Sequence, residues 1–415
     1  MFEIKDEPII NSLLDEDFYK FSMGQLIFEK HCHVPVRFKF SNRTKGISLP
    51  KIIPIEQLRE QLDHVRTLRF NNSELHYLRG TNEYQERMFR ENYLQHLQHL
   101  RLPEYDLEYI GDEINLEFPG DWGSTTYWET LAISVINELN YRNQLKKMSQ
   151  LERDNVFATG VTRLLEKIKK LRQYPDLTFS DFGTRRRFMR IWQKYVVAML
   201  AYELPKQFKG TSNVKLAMDD GYDPTGTNAH EMDMAYSGIY HGSDEEIRGS
   251  HRRFLTDWRE MYGWGLSVLL SDTYGSDFFF SDMTKDDAEL NKGLRQDSGN
   301  PIVLGEKAIK VYQGYGVDPI SKLIVFSDGL EVEKMIKIHL HFLNRIMNTF
   351  GWGTDETNDL GLRPLSLVIK LVEANGHGTV KLSDNLNKAI GRPEDVTRFK
   401  RIFGYTNEAA EDCKY

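Results

Sequence analysis

From about Leu177 onward, short apolar runs alternate with short polar loops built from Gly, Asp, Ser and Thr, and few folds accommodate that alternation. The loops are Phe182–Arg187 (FGTRRR), Gly210–Asn213 (GTSN), Gly226–Met232 (GTNAHEM), Ser271–Asp277 (SDTYGSD), Leu294–Pro301 (LRQDSGNP), Ser327–Leu330 (SDGL) and Gly351–Asp355 (GWGTD). Alternating strand and helix patterns favour a parallel sheet with right-handed crossovers. Closed into an α/β barrel, such a sheet gathers its strand-end loops on one rim, where a site is assembled from many segments. The chain reads as an enzyme.

At 415 residues it is long enough for a large core and two or three domains. A formal net charge of −7 gives no general field for polyanions, so nucleic acid is not expected as a partner, although local basic clusters can still hold a small anion. The opening MFEIKDE lacks a basic stretch followed by an apolar run, and nothing approaches 18 uninterrupted apolar residues. A cytoplasmic protein without membrane association is expected. Cys32 and Cys413 have no metal-like spacing, which argues against a disulfide framework and a Cys-ligated zinc.

Residues 8–30 carry a helix-like pattern, and Val34, Val36, Phe38 and Phe40 then alternate with other residues as in a half-buried strand. Residues 55–100 predict charged surface helices, and Leu107–Ile110 with Ile114–Phe118 predict a hairpin turning at Gly111-Asp112. Trp128, Leu131, Val135 and Leu139 recur at helical spacing. Phe188, Ile191, Trp192, Tyr195 and Met199 predict one apolar helical stripe. Val214–Met218, Leu266–Leu270, Lys322–Phe326 and Ile346–Phe350 read as strands, and Ser366–Val372 with Thr379–Leu382 as a hairpin. A charged helix follows from Pro393.

Several motifs carry little when taken singly. Asp181-Phe182-Gly183 matches the magnesium tripeptide of protein kinases, but their catalytic loop and Gly-rich loop are missing. His230-Glu231 begins like a zinc-protease helix, yet position 234 is Met. The sequons at Asn42 and Asn71 lack a secretory context. Arg185-Arg186-Arg187 can be a solvated helix start, although cations there oppose the helix dipole and an occupying anion would explain them. A lone His such as His230 is more often a satisfied structural residue, and Gly loops such as Ser327–Gly329 and Gly351–Thr354 are either turns or phosphate cradles.

In order along the chain, however, Leu14–Lys20 (LDEDFYK), Asn137–Leu139, Phe182–Arg187, Gly210–Ala217, His230–Met232, Ser271–Tyr274, Arg295–Pro301, Ser327–Gly329 and Phe350–Asp359 resemble the nicotinate phosphoribosyltransferases of the bacterial type. The resemblance implies an irregular α/β barrel (type II phosphoribosyltransferase) with a smaller α/β domain formed by both chain ends. On that reading residues 1–135 form an N-terminal capping domain, 136–361 the catalytic barrel, and 362–415 a C-terminal hairpin and helix that joins the cap. It also implies a homodimer with shared active sites. The reaction implied joins nicotinate to 5-phosphoribosyl 1-pyrophosphate, giving nicotinate mononucleotide and pyrophosphate in NAD salvage, coupled to ATP hydrolysis with Mg²⁺.

The resemblance also distributes roles. His230 would be phosphorylated by ATP, since a neutral imidazole nitrogen is a competent nucleophile. Phe182 and Tyr19 would sandwich the pyridine ring, Arg295 would fork onto the nicotinate carboxylate, and Arg185 would lie near an anion. Asp272 and Asp297 would hold Mg²⁺ or ribose hydroxyls, and Gly329 and Gly353 would let backbone N–H groups approach the 5′-phosphate. Ser212 stands where relatives that use nicotinamide carry Asp. A carboxylate there, about 4 Å from the substrate's own, would cost roughly 4 kcal/mol at an effective dielectric near 20. Quinolinate phosphoribosyltransferase would want a more basic pocket and no phosphorylatable His. A sensor that only binds would lack His230 or the Asp pair.

Overall fold

A computed structural model of the chain describes residues 6–83 and 86–408. The alternating stretch becomes β1 (Pro35–Asn42), with Val36, Phe38 and Phe40 buried. A short ribbon, β2 (Asn82–Glu83) and β3 (Glu86–Arg87), precedes the expected hairpin of β4 (Asp106–Ile110) and β5 (Glu113–Asp121). Next come β6 (Phe179–Asp181), β7 (Phe208–Thr211), β8 (Val268–Leu270), β9 (Gly293–Gln296), β10 (Leu323–Phe326) and β11 (Met347–Trp352). The last strands are β12 (Leu367–Ala374) and β13 (His377–Gly378).

β6 to β11 form one parallel sheet in the order β7-β6-β11-β10-β9-β8. Its two end strands are joined by an irregular segment, not a ladder. Thr225 N–H donates to the Thr211 carbonyl of β7 at 2.9 Å, and the Thr227 hydroxyl reaches the Val268 carbonyl of β8 at 3.5 Å. This is the irregular α/β barrel. The smaller antiparallel sheet, ordered β13-β12-β1-β5-β4, pairs Val36 with Ala374 and Asn42 with Leu367, so both ends of the chain build it. A helix of 19 residues, Trp128–Lys146, runs between the two layers and is buried along most of its length.

Four local expectations are corrected. The first helix is Phe18–His31, because Ile9, Ile10, Leu13 and Leu14, although spaced like a helix, are buried in an irregular stretch whose Asp15 pairs with Arg187. Residues 214–220 are a helix instead of a strand. Asn213 caps it by accepting from Leu216 N–H at 3.0 Å, and Gly221 at φ 74° ends it, so the end signals outweigh the apolar run. On the helix Arg190–Glu203 the buried residues are Trp192, Val196, Val197 and Leu200, with Ile191 43% exposed. The polar Gln193 occupies that buried face by donating to Asp181 at 2.9 Å, which no apolar count registers. Finally, Thr379–Leu382 leaves the hairpin after β13, and Leu382 N–H donates to the Thr273 carbonyl at 2.8 Å, which turns the segment toward the barrel rim.

Asn71 serves as the N-cap of the helix Asn72–Gly80. Cys32 is a free thiol, and Cys413 lies outside the described residues. Among the described residues no helix is long and apolar enough to cross a membrane.

Candidate active site

A cavity of about 420 Å³ opens where the parallel strands end. It is lined by Phe182, Gly183 and Arg185 after β6, Ser212 after β7, Arg295 and Asp297 at the end of β9, Ser327 to Glu331 after β10, and Gly353 after β11. Tyr19, Asp17 and His230 complete the wall, with Lys370, Lys381 and Lys388 from the C-terminal segment. Every residue expected in the site lines this cavity except Asp272, which lies directly behind His230. A second cavity inside the barrel shares Phe182 and Arg295 with it.

His230 immediately precedes the helix Glu231–Ile239. Its Nδ1 is 2.9 Å from the Thr273 hydroxyl, and its Nε2 lies 3.0 Å from Asp297 Oδ2, 2.8 Å from Lys381 Nζ and 3.6 Å from Asp272 Oδ1. Burial, and then the charge of Lys381, depress its pKa below the ordinary value, so the imidazole is held in its neutral, nucleophilic form. Burial opposes ionisation of Asp297, but its contact with His230 and the charges of Lys381 and Arg295 hold its carboxyl well below the usual range. Asp272 accepts from the Ser298 hydroxyl through Oδ2, while Oδ1 is buried without a hydrogen-bond partner. His230, Asp272 and Asp297 together present three ligand atoms within 4.8 Å of one another.

Arg295 donates through Nη1 to the Asn228 carbonyl at 2.9 Å, and its buried Nε has no partner. The Phe182 ring packs against β11: a Cβ at Gly351 would run into its Cδ2 and Cε2, so Gly at that position makes room for the ring. Gly329 has φ 52°, the left-handed conformation that favours glycine, so the loop after β10 turns tightly there.

The arginine triplet divides its tasks. Arg187 is fully buried and bidentate to Asp15, with distances of 2.6 and 2.8 Å, so it is structural. Arg185 faces the cavity, 3.2 Å from Glu129 and 3.5 Å from Asp17. Glu129 also takes Lys20 at 2.9 Å and Lys370 at 3.1 Å, and Lys20 in turn takes Glu231 at 2.5 Å. Glu231 further accepts from Trp122 Nε1 and the Thr126 hydroxyl, both at 2.7 Å. The peptide neighbour of His230 is thus anchored in a buried ionic network that ties the N-terminal elements to the barrel.

Tyr19 reaches the cavity of its own chain, held by Phe18 N–H donating to the Ser212 carbonyl at 2.7 Å. An exchanged active site is therefore not needed to supply it. Ser212 itself brings no charge, but its hydroxyl donates to Asp17 Oδ1 at 2.7 Å, so a carboxylate lies beside it. Arg185 offsets that carboxylate, and burial, the larger influence, raises the Asp17 pKa.

The model of the nicotinate phosphoribosyltransferase (NAPRTase) family matches residues 177–407, and that of the NAPRTase N-terminal domain matches residues 14–137. The chain belongs to the nicotinate phosphoribosyltransferase family. It is similar to the crystal structure of nicotinate phosphoribosyltransferase from Porphyromonas gingivalis, with 30% identity and a TM-score of 0.85 over 95% of this chain and 100% of that one. The enzyme of that name from Vibrio cholerae is likewise 30% identical, with a TM-score of 0.86 over 98% and 96% of the two chains. A putative nicotinate phosphoribosyltransferase from Saccharomyces cerevisiae is 28% identical, with a TM-score of 0.82 over 97% and 100%.

For this phosphoribosyltransferase, reading the sequence missed Asp17, Glu129, Lys370, Lys381 and Lys388. Lys381 touches His230, and Lys388 bonds both the Asp297 carbonyl, at 2.9 Å, and Asp328. Lysines in a segment that looks like a terminal hairpin read as a solvated face. The turn of residues 379–388 back to the rim makes Lys381 and Lys388 part of the site, and Lys370 enters it from β12.

Proposed function

We propose that the enzyme joins the ring nitrogen of nicotinate to C1 of 5-phosphoribosyl 1-pyrophosphate, releasing pyrophosphate, and that ATP hydrolysis is coupled to this step through phosphorylation of His230. The observation that carries the reading is one cavity in which a neutral histidine, flanked by two carboxylates and a lysine, shares space with an aromatic wall and an arginine lacking a partner at Nε. Phe182 and Tyr19 would cover the pyridine faces, and Arg295 would take the carboxylate as a planar fork. Arg185, Lys370, Lys381 and Lys388 would meet the phosphate groups, with backbone N–H groups near Gly329 and Gly353. As C1 becomes cationic, Asp297 and its neighbours would stabilise it electrostatically.

Asp272 and Asp297 suit a hard cation such as Mg²⁺, because they offer carboxylate oxygens, one of them buried and unpartnered. When bound, Mg²⁺ would neutralise charge on the pyrophosphate leaving group. Lys381, 3.8 Å from Asp272, compensates the same carboxylates from the protein side. A role in NAD salvage, a cytoplasmic location and a homodimer belong to the same proposal.

The test is formation of nicotinate mononucleotide by purified protein with and without ATP, together with base-stable, acid-labile phosphate on the protein. His230→Ala should abolish the nicotinate-dependent ATP hydrolysis and leave weak ATP-independent transfer. Undiminished acid-labile phosphate in that variant would overturn the assignment.

A further inference from the structure

Behind His230 lies a hydrogen-bonded chain that the reaction, as described so far, does not use. The Thr273 hydroxyl, 2.9 Å from His230 Nδ1, is also 2.8 Å from Asp233 Oδ2. Asp233 Oδ1 is 2.8 Å from His251 Nδ1, and the Asp233 carbonyl accepts from the Tyr274 hydroxyl at 2.9 Å. All four members, His230, Thr273, Asp233 and His251, are buried, Asp233 to within 1%. They come from three elements. His230 and Asp233 are three residues apart at the start of the helix Glu231–Ile239, which puts them on one side of it, Thr273 follows β8, and His251 is on the helix Asp244–Tyr262. Among the described residues the only basic side chain within 4 Å of the Asp233 carboxylate is His251.

Donor arithmetic gives the chain a direction. A carboxylate only accepts, so the single Thr273 proton goes to Asp233, and the same oxygen must accept from His230 Nδ1. Nδ1 therefore carries hydrogen. In the neutral ring that leaves the lone pair on Nε2, the nitrogen facing the cavity, where it accepts from Lys381 Nζ at 2.8 Å; the Asp297 oxygen 3.0 Å away then makes no hydrogen bond to the ring, and its charge is offset by Lys381 at 3.9 Å.

We propose that Asp233, acting through Thr273, is a positioning residue that locks His230 as the Nδ1–H tautomer and so selects Nε2 as the phosphoryl acceptor. The proposal rests on the phosphohistidine reading above and deepens it. The Nε2 lone pair forms a bond to the γ-phosphorus as the bond from that phosphorus to the β,γ-bridging oxygen breaks, and ADP leaves with the electron pair. The Nδ1 proton stays, and the positive phosphoimidazolium lies against the Thr273–Asp233 pair. When water later takes the phosphoryl group, the N–P electron pair returns to Nε2 and the neutral ring is restored. A ring that keeps its Nδ1 proton is the better leaving group for that step.

The test uses full-length protein with ¹⁵N-labelled histidine, without nucleotide, the His230 signals being assigned by their loss in His230→Ala. The expected spectrum has a protonated Nδ1 and a lone-pair Nε2. Thr273→Val, which keeps the shape and removes the hydroxyl, should mix or invert the tautomers, and Thr273→Ser should restore them. With ATP, the parent and the Ser variant should form Nε2-phosphohistidine, while the Val variant should form it at least about tenfold more slowly. A hydrogen on Nε2 and none on Nδ1 in the parent, or an unchanged tautomer in Thr273→Val, overturns the proposal. Should Thr273→Val not fold, the parent spectrum and Asp233→Asn, expected to weaken the preference, decide the question. If the tautomers behave as stated but no phosphohistidine forms, the ATP-coupling reading fails and the positioning role stands.

Discussion

Residues in this site act through the pairings their neighbours leave them. Arg295 has one fork arm on the Asn228 carbonyl and an unpartnered Nε, so a planar group is held ready for a carboxylate. Arg295→Lys should therefore bind nicotinate almost as poorly as Arg295→Ala in a competition assay, and full rescue by Lys would mean that charge alone suffices. Lys370 has its pKa pushed down to about 8, first by burial and then by Arg185 and Lys381, with Glu129 opposing. Below pH 8 it is charged and available to a phosphate; above pH 8 affinity for phosphoribosyl pyrophosphate should fall. Lys370→Met should bind more weakly at pH 7 and lose that component of the fall, whereas an identical alkaline limb in the variant would assign it to another group. The stability effect has the opposite sense. In folded protein Lys370 releases its proton near pH 8 and in unfolded chain near 10.5, so its cost is fully present below pH 8 and is relieved as pH rises between those values.

Elements matter here through what their ends present. The loops after β6, β10 and β11 were legible as ligand-binding because Gly, Asp, Ser or Thr recurs at one strand end after another, as a site on one barrel rim requires. The short helix after β7 was misread, since a run of seven residues carries too little periodicity to separate helix from strand. β11 makes a specific prediction. Gly351 leaves the room that Phe182 occupies, so Gly351→Ala should displace the ring and weaken nicotinate binding on the order of tenfold, about 1.4 kcal/mol. Equilibrium binding of nicotinate checks this, with thermal unfolding as the control for the fold. Unchanged affinity would show that Phe182 does not cover the pyridine.

Over the whole molecule, one chain supplies Tyr19 and Asp297 to the same cavity. Tyr19→Ala and Asp297→Ala proteins, each impaired, should therefore fail to rescue one another when unfolded and reassociated together. Return of roughly a quarter of full activity, the value for randomly mixed dimers with exchanged sites, would instead show that Tyr19 crosses between subunits. What residue types and their order determined was the fold class and most of the cavity wall: Phe182, Arg185, Ser212, His230, Arg295, Asp297, Gly329 and Gly353 each sit in a loop that says little alone and is read through its place in the series of loops. What only the tertiary structure decided was the partnership across long separations. Lys381 against His230, Asp17 against Ser212, and Glu129 holding Lys20, Arg185 and Lys370 join residues 56 to 241 positions apart. A buried charge must find its counter-ion wherever the fold brings one, and no local pattern records where that will be.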